Sequence, residues 1–423
     1  MEKPLIDEMF ELILCNKLEE LDHIARPEDA ICIRTAVSTE SESAADLSID
    51  LEDITKQAPW ITPFYIGPKV IFSSLSTALQ KEAGYSKTHV PLDWSFSFDS
   101  NVAEKLRAYV NHENINKVDK ERVITLLKLK KKHSLQTDLL PFLFENLRLS
   151  RDNEKNLRPL KTIEAFKKLD YIDWEAFAEN PDKPSFRCDE INISQQAIDT
   201  YNDLINDNEI KKRENRAAFT QVVLFELAII WLGGKETKSA EELFEELIDF
   251  CVINLKKLPK YELKFAIQFL TKPTKTRFFG PLNGVSKKLL KDLRGMAWDM
   301  IHFRVMETFA TATKEGSFFL PFFVSFDDKF SEIIKHNQIS MLMVDDRLER
   351  MHSAGIDEYE FNVLLQSCTS TKVKEQMTPK KSEERRQKNL STIELMDILT
   401  AQAKVLEVLA EKERRNRLCK KKR

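Results

Sequence analysis

The sequence predicts a helix-dominated α/β protein with a small parallel-sheet core, a large all-helical insertion and a C-terminal helix. The chain has only 9 glycines in 423 residues and is 31% charged, whereas average usage would give roughly 30 glycines. This composition favours helix. Residues 94–98 alternate aromatic side chains with serine, which is typical of a strand. Apolar runs at 320–325 and 340–345, each leading into acidic residues, predict two more strands.

The scarcity of glycine also excludes two kinds of nucleotide site. No G-x-G-x-x-G and no G-x-x-x-x-G-K-[ST] occurs, so no glycine loop can press the backbone against a phosphate. The six cysteines are scattered without a C-x-x-C pair, which indicates reduced thiols rather than a zinc ribbon. The acidic N-terminus lacks a signal sequence, and no apolar run approaches about 18 residues. We therefore predict a cytoplasmic protein with no membrane association.

We divide the chain into five regions. Residues 1–85 form an N-terminal helical and acidic region with a linker, and 86–150 form the first part of the core. Residues 151–285 form the helical insertion, 286–350 the second part of the core, and 351–423 a C-terminal helical basic tail.

The N-terminal and first core regions are predicted as follows. Apolar spacing from Leu5 to Ile13 indicates a helix, the serine- and acid-rich stretch 36–54 a linker, and 71–84 a second helix. A helix follows the first strand at 101–110, and two more lie between 119 and 149.

The insertion and the tail are predicted to be helical. The apolar segment Val222–Leu232 is a buried helix that the following Gly-Gly pair ends. The last helix begins at a capping box formed by Ser391 and Glu394. Its apolar residues, including Val405 and Val408, suit either a homodimer or docking on its own chain, and the sequence leaves that choice open.

Charge is distributed unevenly along the chain. Residues 1–54 hold 4 basic against 15 acidic residues, and residues 372–423 hold 16 basic against 8 acidic ones. A basic tail suits nucleic acid, although a solvated helix end is an open alternative. Two further basic segments are candidate phosphate contacts: 127–133, and 272–284, where Phe278 and Phe279 offer rings for stacking on unpaired bases. An ordinary solvated surface is the alternative for both.

Four acidic residues carry the candidate chemistry. Asp99 and Asp327 follow predicted strands, whose carboxyl ends meet at one edge of a parallel sheet. Glu145 and Asp299 lie within apolar stretches, where a lone buried carboxylate is costly. Together they suit Mg²⁺ or Mn²⁺, the usual device for hydrolysing phosphodiesters. Helix capping by Asp99 and Asp327, and an ion pair of Asp299, are open alternatives.

These segments resemble the PIN-like family of metal-dependent nucleases. The string FSFDSNVAEKL resembles the opening strand of the family, and GMAWDMIHFRVM resembles the segment that bears a later acid. The string LPFFVSFDDKF resembles the strand that ends in Ser-x-Asp, and ISMLMVDD resembles the final strand. The resemblance implies catalytic and metal-binding roles for Asp99, Asp299 and Asp327. It assigns supporting roles to Ser100, Asn101, Ser325 and Asp328, with Asn101 bracing the turn.

The fourth acid of the resemblance has two candidates. Glu145 lies in PFLFENL, 46 residues after Asp99, and is the preferred catalytic and metal-binding residue. Glu226 in VVLFELAII matches the same helix motif about as well and is the alternative.

The resemblance implies a metal-dependent nuclease that uses Mg²⁺ or Mn²⁺ and acts on nucleic acid. RNA is the favoured substrate, so an endoribonuclease is the first expectation. A toxin or phage-defence effector would be such a stand-alone nuclease. The competing hypothesis is a non-catalytic helical protein that binds a protein partner or nucleic acid.

Overall fold

The computed structural model describes residues 4–17, 20, 32–39, 51–67, 69–84, 89–153, 155–312, 318–335 and 337–421. It is 64% helical and 12% strand, which confirms the helix-dominated α/β class. The chain forms two compact units. The first contains residues 1–210 and 302–359, and the second contains 211–301 and 360–423. The predicted insertion at 151–285 is thus divided between them.

The described strands are β1 (Ile33–Thr39), β2 (Ile61–Pro63), β3 (Lys69–Ser73), β4 (Leu92–Phe98), β5 (Gln136–Asp138), β6 (Phe318–Val324), β7 (Met341–Asp345) and β8 (Arg350–Ala354). The helices up to the second unit are α1 (Leu5–Leu14), α2 (Leu51–Gln57), α3 (Leu75–Glu82), α4 (Ser100–Val110), α5 (Lys117–His133), α6 (Leu140–Asp152), α7 (Arg158–Leu169), α8 (Trp174–Glu179) and α9 (Glu190–Ile205). The later ones are α10 (Asn208–Gly234), α11 (Ala240–Asp249), α12 (Lys260–Thr271), α13 (Gly280–Gly284), α14 (Leu289–Ala310), α15 (Asp328–Lys335), α16 (Glu358–Ser367), α17 (Thr371–Gln376), α18 (Pro379–Gln387) and α19 (Thr392–Lys421).

The core sheet of the first unit has the order β2-β6-β4-β5. Strand β4 pairs in parallel with both β5 and β6, whereas β2 adds to β6 in the antiparallel direction. The alternation in β4 predicted one buried face, yet Ser95 and Ser97 are as buried as Phe96 and Phe98. Both faces are covered, and helices α4 and α6 pack against this strand, as is usual for parallel sheets.

A second sheet, with the order β3-β1-β7-β8, is entirely antiparallel. The segment 340–345 was expected to be the final strand of the parallel core, and that expectation is wrong. Strand β7 is buried along its whole length and is paired on both edges by β1 and β8. Period and apolarity predict that a segment is a strand, but they carry no information about which sheet it joins.

The predictions for the N-terminal region are partly wrong. A helix does occupy Leu5–Leu14, but residues 33–39, assigned to a helix and a linker, form strand β1. Residues 40–50 of the linker lie outside the described residues. The predicted helix at 71–84 is strand β3 followed by α3, and Ser74 starts the helix with a capping box to Thr77. Helix α3 ends before Gly84, whose φ of +82° suits only glycine well.

The helical predictions for residues 101–285 hold in broad terms. Helix α4 and the pair α5 and α6 occupy the expected positions, with the short strand β5 between them as the missed element. Within the described residues 155–285 the only strand-like contact is an isolated bridge between Ile172 and Phe186. Helix α10 ends at Gly234, where an added Cβ would lie 2.6 Å from Leu243, so the close approach of α11 requires glycine.

Helix α10 packs within the second unit. It is the one helix among the described residues that is long and apolar enough to cross a membrane, and 67% of its most apolar window is buried inside the chain. Val222 and Phe225 are nearly inaccessible to solvent, and the rings of Trp231 and Phe269 meet edge to face at 5.0 Å.

The C-terminal helix docks on α10. The Ser391–Glu394 capping box is confirmed by a Ser391 N–H bond to the Glu394 carboxylate at 2.7 Å and a Glu394 N–H bond to Ser391 Oγ at 3.2 Å. The Gln402 amide donates to the Val222 carbonyl, and Lys235 pairs with Glu413 at 2.6 Å.

The buried row of this helix differs from the one named from the sequence. The residues that face the chain are Leu395, Leu399, Gln402, Leu406 and Ala410. Val405 and Val408 are 48% and 69% exposed. The helical period gave the correct spacing, but only tertiary contacts select which of two adjacent apolar rows is covered.

We predict that Leu406→Ala lowers the free energy of unfolding of the second unit by about 2–4 kcal/mol, because it empties a fully buried site. Val408→Ala, two residues away on the exposed side of the same helix, should change it by less than about 0.5 kcal/mol. Urea unfolding followed by circular dichroism measures both. Equal effects would show that this face is not docked.

Candidate active site

The core sheet creates a crevice at the carboxyl ends of β4 and β6. From β4 the chain moves through α4 and α5 to β5 on one side, and β6 lies on the other side of β4. Ligands of open α/β sheets bind where the strand order reverses in this way. Asp99 directly follows β4, and Ser325 directly follows β6, so both lie at the mouth of the crevice.

Asp99 is held by two hydrogen bonds and is only 6% exposed. Its Oδ1 accepts the Val102 N–H at 2.7 Å, which makes Asp99 the N-cap of α4. Its Oδ2 accepts the Ser325 hydroxyl at 2.5 Å. Asp99 therefore does cap a helix, as the alternative interpretation predicted. Its second oxygen accepts a hydrogen bond from Ser325, at the end of the neighbouring strand β6.

Glu145 on α6 lies beside Asp99. The Ser100 hydroxyl donates to Glu145 Oε2, and the Asn146 amide donates to Ser100 Oγ at 2.9 Å. Ser100 therefore supports Glu145, and the side chain that braces it is Asn146. Asn101, which the resemblance assigned to bracing the turn, is exposed in the first turn of α4.

Asp327 and Asp328 follow β6 and are exposed. Asp327 Oδ1 accepts the Lys329 N–H at 2.8 Å, which caps α15, and the Asp327 N–H donates to Ser325 Oγ at 3.1 Å. Asp328 lies 3.8 Å from the Arg122 guanidinium. Asp327 thus borders the Asp99–Ser325 pair, whereas Asp328 faces Arg122.

His302 lies against Glu145 at the back of the crevice. It is 1% exposed, and its Nε2 lies 4.0 Å from Glu145 Oε2. Neither ring nitrogen makes a well-formed hydrogen bond within the described residues. Burial lowers the pKa of His302, while Glu145 and the Pro141 carbonyl oppose that change, so the ring is neutral at neutral pH.

The acids of the crevice lack basic partners. Among the described residues no lysine or arginine forms an ion pair with Asp99, Glu145 or Asp327. Burial raises the pKa of Asp99 from 3.8 to about 7; its bonds from Ser325 and Val102 oppose the rise, and the charges of Glu145 and Asp327 add to it. Glu145 and Asp327 are therefore each close enough to Asp99 to oppose its ionisation.

The remaining predicted acids occupy other positions. Asp299 lies on α14 three residues before His302, is half-buried and belongs to the second unit. Glu226 also belongs to the second unit, where its carboxylate accepts the Gln402 amide at 2.8 Å. Of the two candidates for the fourth acid, Glu145 is the one that borders Asp99.

The donor set has the right chemistry for a hard divalent cation, but its side chains are not closed around one. Within the described part of the chain, no three His, Cys, Asp or Glu side chains are placed to hold a metal ion. Carboxylate oxygens suit Mg²⁺ or Mn²⁺, and each can still accept a hydrogen bond while it binds. A shared ion would require the Glu145 or Asp327 side chain to turn toward Asp99.

The sequence predictions left out two residues of this site, Asn146 and Asp138. Asn146 directly follows Glu145, so adjacency was a usable signal. His302, one helical turn after Asp299, was considered as a base but was interpreted as an ordinary core or surface histidine. Asp138 ends β5, accepts the Ser97 hydroxyl at 3.2 Å, and has its pKa raised by burial to about 6. No pattern identified it, because β5 has only three residues.

We predict that Asp99→Asn becomes more stable relative to wild type as the pH rises from about 5 to about 8 without metal. The folded pKa of Asp99 lies above its unfolded value, so its contribution to stability is complete below about 4 and is lost as the pH rises through about 7. The difference should grow by up to about 1.4 kcal/mol per pH unit. Urea unfolding at several pH values in EDTA measures it.

Asp203→Asn is the matched control, since Asp203 is exposed on α9. The difference in unfolding free energy between Asp203→Asn and wild type should be the same at every pH. If the difference between Asp99→Asn and wild type is also independent of pH, Asp99 is not held at a raised pKa.

Comparisons with known proteins add no identification to this geometry. No protein-family model, no curated protein and no solved structure matches the chain. The likeness to PIN-like nucleases therefore rests on the short motifs and on the placement of Asp99, Glu145, Ser325 and Asp327 at the crevice.

Proposed function

We propose that the first unit is a divalent-cation-dependent nuclease of the PIN-like kind, with RNA as the favoured substrate. The observation that carries the proposal is the group of Asp99, Glu145 and Asp327, which lies at the strand-order reversal without a lysine or arginine partner. Of the three, Asp99 is buried, and a buried carboxylate without a positive partner is costly unless a cation neutralises it.

Helix capping does not account for the whole group. A cap needs only one carboxylate oxygen and a helix N-terminus, and Asp99 and Asp327 each supply one. Capping gives no reason for Glu145 to lie beside a buried Asp99, where its charge raises the cost of ionising Asp99. A divalent cation removes that cost, and this favours a catalytic site over a non-catalytic interaction protein.

Each residue has a role in this proposal. Asp99, Glu145 and Asp327 would hold Mg²⁺ or Mn²⁺, and a bound ion of this kind activates water and stabilises charge on a phosphodiester. Ser325 orients Asp99, and Ser100 with Asn146 orients Glu145. Asp299 remains a proposed ligand from the resemblance alone.

The test is cleavage of labelled single-stranded RNA with Mn²⁺ and with EDTA. We expect cleavage that EDTA abolishes and that Asp99→Asn lowers by about a hundredfold or more, because the charge that holds the ion is lost. Asp203→Asn should cleave like wild type. Equal cleavage by Asp99→Asn and wild type would reject the site.

A second pair of variants distinguishes the two candidate acids. Glu145→Gln should lose metal-dependent cleavage, whereas Glu226→Gln, in the second unit, should keep it. Thermal unfolding with and without Mn²⁺ gives a readout that does not need the substrate. At about 100 times its Kd, Mn²⁺ should stabilise wild type and Glu226→Gln by about 2.7 kcal/mol, and Glu145→Gln much less.

A further inference from the structure

A basic groove lies on the second unit between the start of α14 and the C-terminal half of α19. It has a volume of about 250 Å³. Its cationic side chains are Lys287, Lys288, Lys291 and Arg414, and Glu407 is the one acid that lines it. Arg414 pairs with Glu411 at 3.1 Å, so the three lysines are the cations of the groove without an acidic partner among the described residues.

The lysines of the groove are available to a ligand. Lys287, Lys288 and Lys291 are exposed, and none of them forms an ion pair with another described residue. They contrast with Arg415 and Arg417 nearby on α19, which pair with glutamates one turn earlier. Three lysines without acidic partners therefore lie together in the groove.

The two walls of the groove are joined by hydrogen bonds. Arg414 Nη1 donates to the Ser286 carbonyl at 3.1 Å. Ser286 Oγ accepts the Lys288 N–H at 3.1 Å and donates to Asp292 at 2.7 Å. The lysines thus project from a fixed turn, so less conformational freedom is lost when they bind an anion.

Several residues of the basic segments singled out from the sequence are engaged within the chain. In 127–133, Lys132 pairs with Asp53 at 2.5 Å and Lys131 lies over the Trp174 ring at 5.3 Å. In 272–284, Phe278 and Phe279 are 6% and 0% exposed, so the expectation that they stack on bases is wrong: their rings fill the core.

We propose that this groove binds the sugar–phosphate backbone of a nucleic acid. The choice of ligand rests on the nuclease function proposed above, since phosphodiester is what such a site acts on. Leu289 and Leu406 also line the groove but are 4% and 0% exposed, so the lysines supply most of the surface that a ligand would meet. A concave site of about 250 Å³ is poorly suited to a flat lipid surface, which is the competing polyanion.

The experiment measures binding of the full chain to a fluorescent single-stranded RNA by anisotropy, in EDTA so that no metal-dependent cleavage occurs, over a range of salt. We expect Lys287→Glu with Lys291→Glu to weaken binding at least about tenfold. The slope of log affinity against log salt should fall by about 1.4, at about 0.7 for each phosphate contact. Arginine at both positions should restore binding.

The matched control is Lys211→Glu with Lys404→Glu, which changes charge equally on exposed parts of the same unit; it should bind within about twofold of wild type. If the groove variant binds RNA like this control, or if anionic vesicles but not RNA bind the groove, the proposal is wrong. If RNA binding depends on the groove but no metal-dependent cleavage is found, the nuclease proposal is rejected and the groove proposal stands. If the protein cleaves RNA but the groove variant binds RNA as wild type does, the groove proposal is rejected and the nuclease proposal stands.

Discussion

The parallel pairing of β4 with β6 is the constraint on which the candidate site depends. It joins segments separated by 226 positions and brings the Ser325 hydroxyl to Asp99. Closing so long a loop costs conformational entropy, and the burial of Phe96, Phe98, Phe322 and Phe323 offsets it. Without this pairing Asp99 would be an ordinary helix cap, because its second partner and its acidic neighbour Asp327 both come from the end of β6.

The electrostatics of the crevice follow from that packing. Burial favours the neutral form of Asp99, and the charges of Glu145 and Asp327 favour it further. Hydrogen bonds from Ser325 and Val102 act in the opposite direction and hold the carboxyl group in one orientation. The result is a carboxyl group fixed in place but short of positive charge, next to a neutral His302. A bound cation would supply the positive charge that these carboxylates lack.

On the surface of the second unit, too, the sequence alone does not show which charged side chains are paired. Basic residues are frequent throughout the last 52 residues, yet Arg414, Arg415 and Arg417 all have acidic partners on α19. The lysines of the groove come from the turn before α14 and from its first turn, which is a different part of the chain. The distribution of charge along the sequence therefore did not indicate this groove.

The sequence by itself determined the helix-dominated α/β class, the strands at 92–98 and 318–324, and the capping box at Ser391, because these depend on local period and side-chain chemistry. It also singled out Asp99, Glu145 and Asp327 as acids in unusual settings. Only the tertiary structure decided that β7 joins an antiparallel sheet, that Asn146 donates to Ser100, and that Glu145 rather than Glu226 borders Asp99. Each of these choices is made by contacts between distant segments, whose energies no local pattern records.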